Sequence, residues 1–287
     1  MGAGRYSYDT ARMRTVSYAA VSREEIFVNR TMDSKMDPKN VVRECCETDE
    51  HPDTLPIIIG LDVTGSMGHV PESLIKNDLP EVMKKLLDEG VPCPQLCFTA
   101  YGDHKCDDFP FQAGQFEASD ELIEKWLTAV YLEGGGGGNG GESTSLVYYF
   151  AARHTSCDAI NKRGKKGLLI TIGDEPNHSD YPKSALKNIF GGAEKDMTSE
   201  EIIKEAQQKW EIYHINILDW AGQMKEVKTC WENLLGDHFI SVEANTDTNI
   251  SNMIARLAVE HYKKQNSGIA NASGSTDKDN YQPPHML

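Results

Sequence analysis

The sequence lacks the features of several protein classes. Its apolar runs are far shorter than the ~20 residues that a helix needs to cross a bilayer, so no membrane span is predicted. Basic residues are scarce: 29 Lys and Arg stand against 44 Asp and Glu, which gives a formal net charge of −15. A nucleic acid is therefore not an expected partner, because its phosphates require Lys and Arg. The acidic balance suits a protein that holds cations or meets a basic surface.

Motifs of common enzymes and of secreted proteins are also missing. Seven cysteines, an odd number, do not predict a disulfide framework, and the first residues have no apolar segment typical of a secretory signal. We therefore expect reduced thiols and a cytoplasmic location. There is no P-loop and no Gly-x-Ser-x-Gly elbow, so an ATPase would have to be a separate chain. A zinc site is not favoured, because the spacing of its candidates matches no standard knuckle: Cys93, Cys97, His104 and Cys106.

What the sequence has is a regular alternation of strand and helix patterns between residues 55 and 265. Continuous apolar runs such as LPIIIGLDV and GLLITI are typical of strands buried on both faces, and helical patterns separate them. This alternation predicts an α/β fold with a doubly wound, mostly parallel sheet and helices on both faces. Residues 1–54 are predicted to be an N-terminal arm packed on the main domain, with a β-prone piece, EEIFVNR. Residues 266–287 are predicted to be a disordered tail.

Carboxylates follow three of the predicted strands at the point where each strand ends. Asp62 follows the first, Asp103 the second and Asp174 a third, and Asp62 opens an Asp-x-Thr-x-Ser spacing with Thr64 and Ser66. Ligands of doubly wound sheets bind at this edge. Carboxylate and hydroxyl oxygens are the donors that a hard cation such as Mg²⁺ prefers. For Asp103 and its neighbour His104, an ordinary solvated turn stays open as an alternative.

The string LDVTGSMG, residues 61–68, resembles the first metal-ion-dependent adhesion site (MIDAS) motif of von Willebrand factor A (vWA) domains, Asp-x-Ser-x-Ser, with Thr64 replacing the first serine. The resemblance covers residues 55–265 and implies the family's Rossmann-like fold with a Mg²⁺ or Mn²⁺ site on one sheet edge. It implies that Asp62, Thr64 and Ser66 bind the metal, and that Asp174 serves as the family's further aspartate. Relatives are expected among bacterial and phage proteins of this type.

A glycine run at residues 134–141 holds seven glycines interrupted only by Asn139. Composition alone favours a flexible linker between domains. In vWA domains, however, the second metal ligand, usually a threonine, comes from a glycine-containing loop between two helices. The loop here carries Glu142 and resembles the integrin β-subunit version, in which a glutamate reaches the ion. The resemblance makes Glu142 the second-loop ligand. Asn139 and Asp103 are further candidates, for a neighbouring site.

The function implied by this resemblance is metal-dependent binding of a protein, without enzyme activity. In the family an Asp or Glu side chain of the partner often completes the coordination of the ion. Family members inside cells also couple to ATP-driven assemblies, which makes a separate ATPase chain a candidate partner.

A second interpretation belongs to a different class. LDVTGSM also resembles the phosphate-accepting motif of haloacid-dehalogenase-like Mg²⁺-dependent phosphatases and phosphotransferases, with Asp62 as the nucleophile and Lys165 or Lys166 on the phosphate. That superfamily usually inserts a flap after the first strand, whereas a helix is predicted there almost at once. In that superfamily a glycine loop that carries a glutamate such as Glu142 would also have no role.

Overall fold

The protein is described by a computed structural model that covers residues 4–65, 67–134, 140–218, 224–243 and 250–270. Its strands are β1 (Arg43–Cys45), β2 (Thr54–Asp62), β3 (Cys93–Tyr101), β4 (Phe111–Ala113), β5 (Thr155–Cys157), β6 (Gly167–Gly173), β7 (Asp180–Tyr181), β8 (Met197–Thr198), β9 (Trp210–Leu218) and β10 (Phe239–Glu243). A six-stranded sheet has the order β10-β9-β6-β2-β3-β4 and is parallel except at β4, which pairs antiparallel with β3 at one edge. The pairs β1–β5 and β7–β8 form two small sheets.

Helices cover both faces of the six-stranded sheet. They are α1 (Tyr8–Tyr18), α2 (Arg23–Ile26), α3 (His69–Ser73), α4 (Leu79–Asp88), α5 (Asp120–Thr128), α6 (Ser145–Arg153), α7 (Asp158–Asn161), α8 (Lys183–Phe190), α9 (Ser199–Ala206), α10 (Met224–Leu235) and α11 (Ile250–Ala270). Side chains alternate across a strand, so Ile57 and Ile59 of β2 enter a core with α4, α5 and α11, whereas Ile58 enters the opposite core with α6, α8, α9 and α10. The predicted fold class is confirmed.

The starts of two helices have caps whose residues are local in the sequence. The Ser119 hydroxyl accepts a hydrogen bond from the Leu122 amide at the start of α5. Thr198 and Glu201 form a capping box at the start of α9. Beyond the C-terminal end of another helix, α4, the residue Gly90 has a φ of 84°, a conformation that favours glycine.

The N-terminal segment differs from the prediction. The piece EEIFVNR is not β-structure: α2 begins with a capping box between Ser22 and Glu25, and Ile26 and Phe27 are buried in the same core as α4. The strand prediction is wrong here because the cap and the burial of two adjacent apolar residues stabilise a helical turn. Ahead of it, α1 packs against α4 and α5.

The C-terminal helix continues past the boundary predicted at residue 265. Residues 266–270 belong to α11, and the Asn266 side-chain amide donates to the carbonyl of Tyr262 at 2.8 Å. The rest of the predicted tail, residues 271–287, lies outside the described residues. None of the described helices combines the length and the apolar character that crossing a membrane requires.

Candidate functional site

The carboxyl ends of three neighbouring strands bring the predicted site loops together. In the register of the sheet, Leu61 lies opposite Ile172 of β6, and Asp62 lies opposite Tyr101 of β3. The loops that begin at Asp62, at Gly102 and at Asp174 therefore leave the sheet side by side. The arrangement follows from parallel pairing of β6, β2 and β3, which places their ends at one edge.

Asp62 is buried, with 1% of its surface exposed. Its Oδ1 atom accepts hydrogen bonds from the Thr64 amide at 2.9 Å and from the Thr64 hydroxyl at 2.6 Å. Its Oδ2 atom has no hydrogen-bond partner within the described residues. Burial raises the pKa of Asp62 to about 7, hydrogen bonds from Thr64 oppose the rise, and the carboxylates of Asp174 and Glu175 add to it. Oδ1 of Asp62 is thus held by two hydrogen bonds, and Oδ2 accepts none from the described residues.

Glu142 at the end of the glycine run is a second buried carboxylate of the site. Its amide donates to the Pro176 carbonyl and its carbonyl accepts from the His178 amide, both at 2.9 Å, so this residue is fastened to the loop after β6. The side chain is 6% exposed and its Oε2 atom has no hydrogen-bond partner in the described part of the chain. Burial raises the pKa of Glu142 to about 10, and repulsion from Asp62 adds to the rise.

Both described ends of the glycine run contact the site. The Gly134 amide lies 3.4 Å from the Val63 carbonyl, one residue before Thr64. At Gly141 a Cβ atom would stand 3.0 Å from the His178 ring and 3.1 Å from the Pro176 carbonyl, so the close approach of the two loops favours glycine. The two described ends of the run thus lie beside the loops that begin after β2 and β6. Asn139 lies outside the described residues, as does Ser66 of the first loop.

Asp174 follows β6 directly and is half-buried. The glycine before it is needed for packing: a Cβ atom at Gly173 would stand 2.4 Å from the Tyr101 hydroxyl and 3.3 Å from Asp62 Oδ2. The charge of Asp174 is close enough to raise the pKa of Asp62. The structure therefore brings Asp62, Thr64, Glu142 and Asp174 to one part of the sheet edge.

Asp103 lies beneath this edge in a buried polar network. Its Oδ1 atom contacts His178 Nε2 at 2.9 Å and accepts from the Lys105 amide at 3.0 Å and from the Ser143 hydroxyl at 3.3 Å. The Ser143 hydroxyl also lies 2.6 Å from Nδ1 of His104, whose pKa burial lowers to about 4. The Asp103 and His104 side chains are buried, whereas Lys105 and Cys106 of the same turn are exposed. The network joins the loop after β3 to those of Glu142 and Asp174. No pattern in the sequence indicated His178.

The donor chemistry of the site fits a hard cation. Its groups are carboxylate and hydroxyl oxygens. Asp62 Oδ2 and Glu142 Oε2 accept no hydrogen bond from any described residue, and Mg²⁺ or Mn²⁺ would bind such oxygens. Within the described residues, no three His, Cys, Asp or Glu side chains are arranged closely enough to hold a metal ion by themselves. The candidate set also relies on hydroxyl donors, of which only Thr64 is described.

The structure does not support the phosphotransferase interpretation. Lys165 and Lys166 precede β6, so they lie at the edge of the sheet opposite to Asp62. Because β6 is seven residues long, these lysines are about 20 Å from the candidate site. Their ammonium groups contact the Asn266 side chain and the Gln207 carbonyl instead.

Comparisons with known proteins support the fold. No family model and no curated protein matches the chain. Among solved structures, the pilus adhesin SpaC from Lactobacillus rhamnosus GG, in its open conformation, matches 79% of this chain with 11% identity and a TM-score of 0.50. The vWF domain of the type V pili tip protein Mfa5 from Porphyromonas gingivalis matches 79% of this chain and 98% of its own, with 10% identity and a TM-score of 0.44, too low to support an argument.

The match covers only a part of the SpaC chain. This chain spans 31% of the length of that SpaC chain. At 11% identity the likeness shows a shared fold alone. The α/β architecture is thus similar to part of an adhesin, and it is the architecture that the vWA resemblance implies.

Proposed function

We propose that this chain is a vWA-type module that binds a protein partner through Mg²⁺ or Mn²⁺, held by Asp62, Thr64, Ser66, Glu142 and Asp174. The observation that carries the proposal is the pair of buried carboxylate oxygens, Asp62 Oδ2 and Glu142 Oε2, that have no hydrogen-bond partner among the described residues. A buried carboxylate is strongly unfavourable unless an opposite charge or hydrogen bonds compensate it. A divalent cation on this edge would supply the opposite charge to both.

Each residue has a distinct part in the proposed site. Asp62 is fixed by Thr64 through Oδ1, which leaves Oδ2 for the ion. Glu142 is positioned through its backbone by the loop after β6, and its carboxylate would then reach the ion from this loop. Asp174 would act from the end of β6. Part of the coordination would run through waters, because the described carboxylates are not close enough to hold an ion by themselves. With three carboxylates near one divalent ion, the local charge is near −1, which favours tight metal binding and weakens attraction for a further carboxylate.

Partner binding without covalent chemistry is the function that this arrangement supports. A bound ion would offer an open coordination position to an Asp or Glu side chain of the partner, as the vWA resemblance implies. A separate ATPase chain remains a candidate partner. All seven cysteines are free thiols, and the cytoplasmic location inferred from them stays a prediction.

Metal binding is tested by titrating MgCl₂ or MnCl₂ into the protein in a calorimeter. Asp62→Ala should abolish the binding heat and leave the circular dichroism spectrum unchanged. Asp88→Ala removes an exposed aspartate of α4 and should titrate like the wild type. An unchanged titration of Asp62→Ala would remove the site assignment.

Partner binding is tested by affinity capture from a lysate of the source organism. The baits are wild type with Mg²⁺, wild type with EDTA, and Asp62→Ala with Mg²⁺. A protein retained only by wild type with Mg²⁺ supports the proposal. Retention that depends on neither the metal nor Asp62 contradicts it.

A further inference from the structure

The N-terminal segment forms one wall of a cavity beside the first metal-site loop. The cavity has a volume of about 190 Å³, and Thr64 and Gly68 line it on the side of the loop. Arg23, Glu24, Phe27 and Arg30 line it on the side of the N-terminal segment. Two cationic side chains of a chain with a net charge of −15 thus face the edge that carries the candidate metal ligands.

The position of this wall is fixed by packing. Ile26 and Phe27 are buried in the core beneath the first loop, 6% and 2% exposed. The Asn29 side chain donates to the Ala129 carbonyl at 2.7 Å, which fastens the segment a second time. Arg23 lies directly against the loop, since a Cβ atom at Gly68 would stand 3.1 Å from its Nη1 atom. The two arginines therefore lie on either side of residues that are packed against the domain, Ile26, Phe27 and Asn29.

The charges of these arginines are largely available to a ligand. Within the described residues Arg23 has one ion pair, a 3.6 Å contact with the neighbouring Glu24, and 41% of its side chain is exposed. Arg30 is exposed and makes no ion pair within the described residues. A guanidinium presents a planar fork of donors that matches a carboxylate, which suits such a pair to an acidic ligand.

We infer that Arg23 and Arg30 bind carboxylates of an acidic segment in the partner protein, next to the acid that reaches the metal. The inference rests on the proposed function and names the chemistry of its partner. Its reason is charge complementarity: three carboxylates leave a filled metal site near −1, and the whole chain is acidic, so an acidic partner would be repelled. The two arginines offset that repulsion at the place where the partner must approach.

The test uses a fluorescein-labelled Gly-Ser peptide that carries Asp and Glu side chains, and a matched peptide with Asn and Gln instead. Binding is followed by fluorescence anisotropy in Mg²⁺ and in EDTA. The proteins are wild type, Asp62→Ala, the double variant Arg23→Gln/Arg30→Gln, and the control Arg256→Gln. Arg256 is an exposed arginine of α11 that does not line the cavity.

We expect wild type to bind the acidic peptide and not the amide peptide. The double variant should bind it about tenfold more weakly, as expected for loss of charge-assisted hydrogen bonds at a partly exposed site, with calorimetric Mg²⁺ affinity unchanged. Arg256→Gln should match wild type. Equal affinities of wild type and the double variant, or no binding of the acidic peptide to wild type, overturn the inference. Displacement of the peptide by inorganic phosphate at matched ionic strength also overturns it, in favour of a phosphate ligand.

Failure of the inference and failure of the proposed function give different results. Peptide binding that needs both arginines but is insensitive to EDTA and to Asp62→Ala supports the arginine site. The same result contradicts the proposal that partner binding depends on the metal. Peptide binding that needs Mg²⁺ and Asp62 but not the arginines supports the metal function and overturns the inference.

Discussion

At the scale of single residues, the candidate site concentrates carboxyl groups in a place that water hardly reaches. Asp62 and Glu142 are both buried, and the carboxylate of Asp62 adds to the rise that burial causes in the pKa of Glu142. The local hydrogen bonds do not neutralise them, since Thr64 satisfies one oxygen of Asp62 and the backbone alone fixes Glu142. Such an arrangement is unfavourable for the bare fold and favourable for binding a cation.

The carboxylate at residue 142 should decide how tightly the metal is held. Replacing it in Glu142→Thr restores the residue that vWA domains usually have and removes one negative charge from the site. We expect Mg²⁺ affinity to fall by about tenfold, because affinity for hard cations rises with the number of charged oxygen ligands. Calorimetric titration measures the change. Glu142→Gln is the matched control, since it keeps the shape and loses only the charge, and tighter binding by Glu142→Thr would contradict the charge argument.

At the scale of elements, α11 is joined to β9 by two charged contacts of Glu211 among the described residues, at the edge opposite the site. Glu211 of β9 contacts His261 Nδ1 at 2.9 Å and accepts from the Lys264 ammonium at 3.0 Å. His261 Nε2 lies 2.9 Å from the carbonyl of Lys166, ahead of β6. Burial acts to raise the pKa of Glu211, but the hydrogen bonds from Lys264 and His261 outweigh it and lower the pKa to about 2.

This contact predicts a pH dependence of stability. The folded-state pKa of Glu211 is below its ordinary value of 4.5, so its stabilisation is present above about pH 5 and is lost as the pH falls towards 2. Glu211→Gln should therefore be less stable than wild type near neutral pH, and the difference should shrink between pH 5 and about 2. Urea unfolding followed by circular dichroism across this range measures it.

The control for this experiment is Glu260→Gln, an exposed glutamate of α11 in a long ion pair with Arg256. Its unfolding free energy should stay close to that of wild type at every pH, because exposed ion pairs contribute little. A constant difference between Glu211→Gln and wild type over the whole range would show that the contact acts by packing and not by charge.

At the scale of the whole molecule, α1 of the N-terminal segment contacts α5 through partly buried polar side chains. Arg14 of α1 pairs with Asp120 and, at 2.7 Å, with Glu124 of α5. The Tyr18 hydroxyl donates to Glu124 at 2.8 Å, and the Thr10 hydroxyl donates to Asp120 at 2.6 Å. These contacts predict that α1 unfolds together with the sheet.

Arg14→Ala should lower the unfolding free energy by about 1–3 kcal/mol, because it leaves two largely buried carboxylates short of their partner. Urea unfolding should show one transition with an unchanged slope and a lower midpoint. Arg12→Ala, in which an exposed arginine of the same helix loses a 3.9 Å contact with Glu81, should change the free energy by less than about 0.5 kcal/mol. An unchanged midpoint for Arg14→Ala would mean that the segment unfolds independently of the domain.

Local patterns were sufficient to predict the elements of the sheet and their order along the chain. The apolar runs of β2 and β6, the cap of α5 and the capping box of α9 each depend on neighbouring residues, so a single sequence contains them. Short elements held by distant partners were not predictable. β1 pairs with β5 although more than a hundred residues separate them, and α1 is held mainly by polar contacts to α5.

The sequence by itself determined that carboxylates end the strands and that parallel strands deliver them to one edge, because these follow from apolar periodicity and from the chirality of strand–helix–strand units. Only the tertiary structure decided that β2 lies between β6 and β3, and hence that Asp62 and Glu142 are buried near each other. It also decided that Arg23 stands against Gly68. No pattern of neighbouring residues predicts that Asp62 lies near Glu142 or that Arg23 lies near Gly68. Each pair is brought together because side chains from distant parts of the chain pack into a common core.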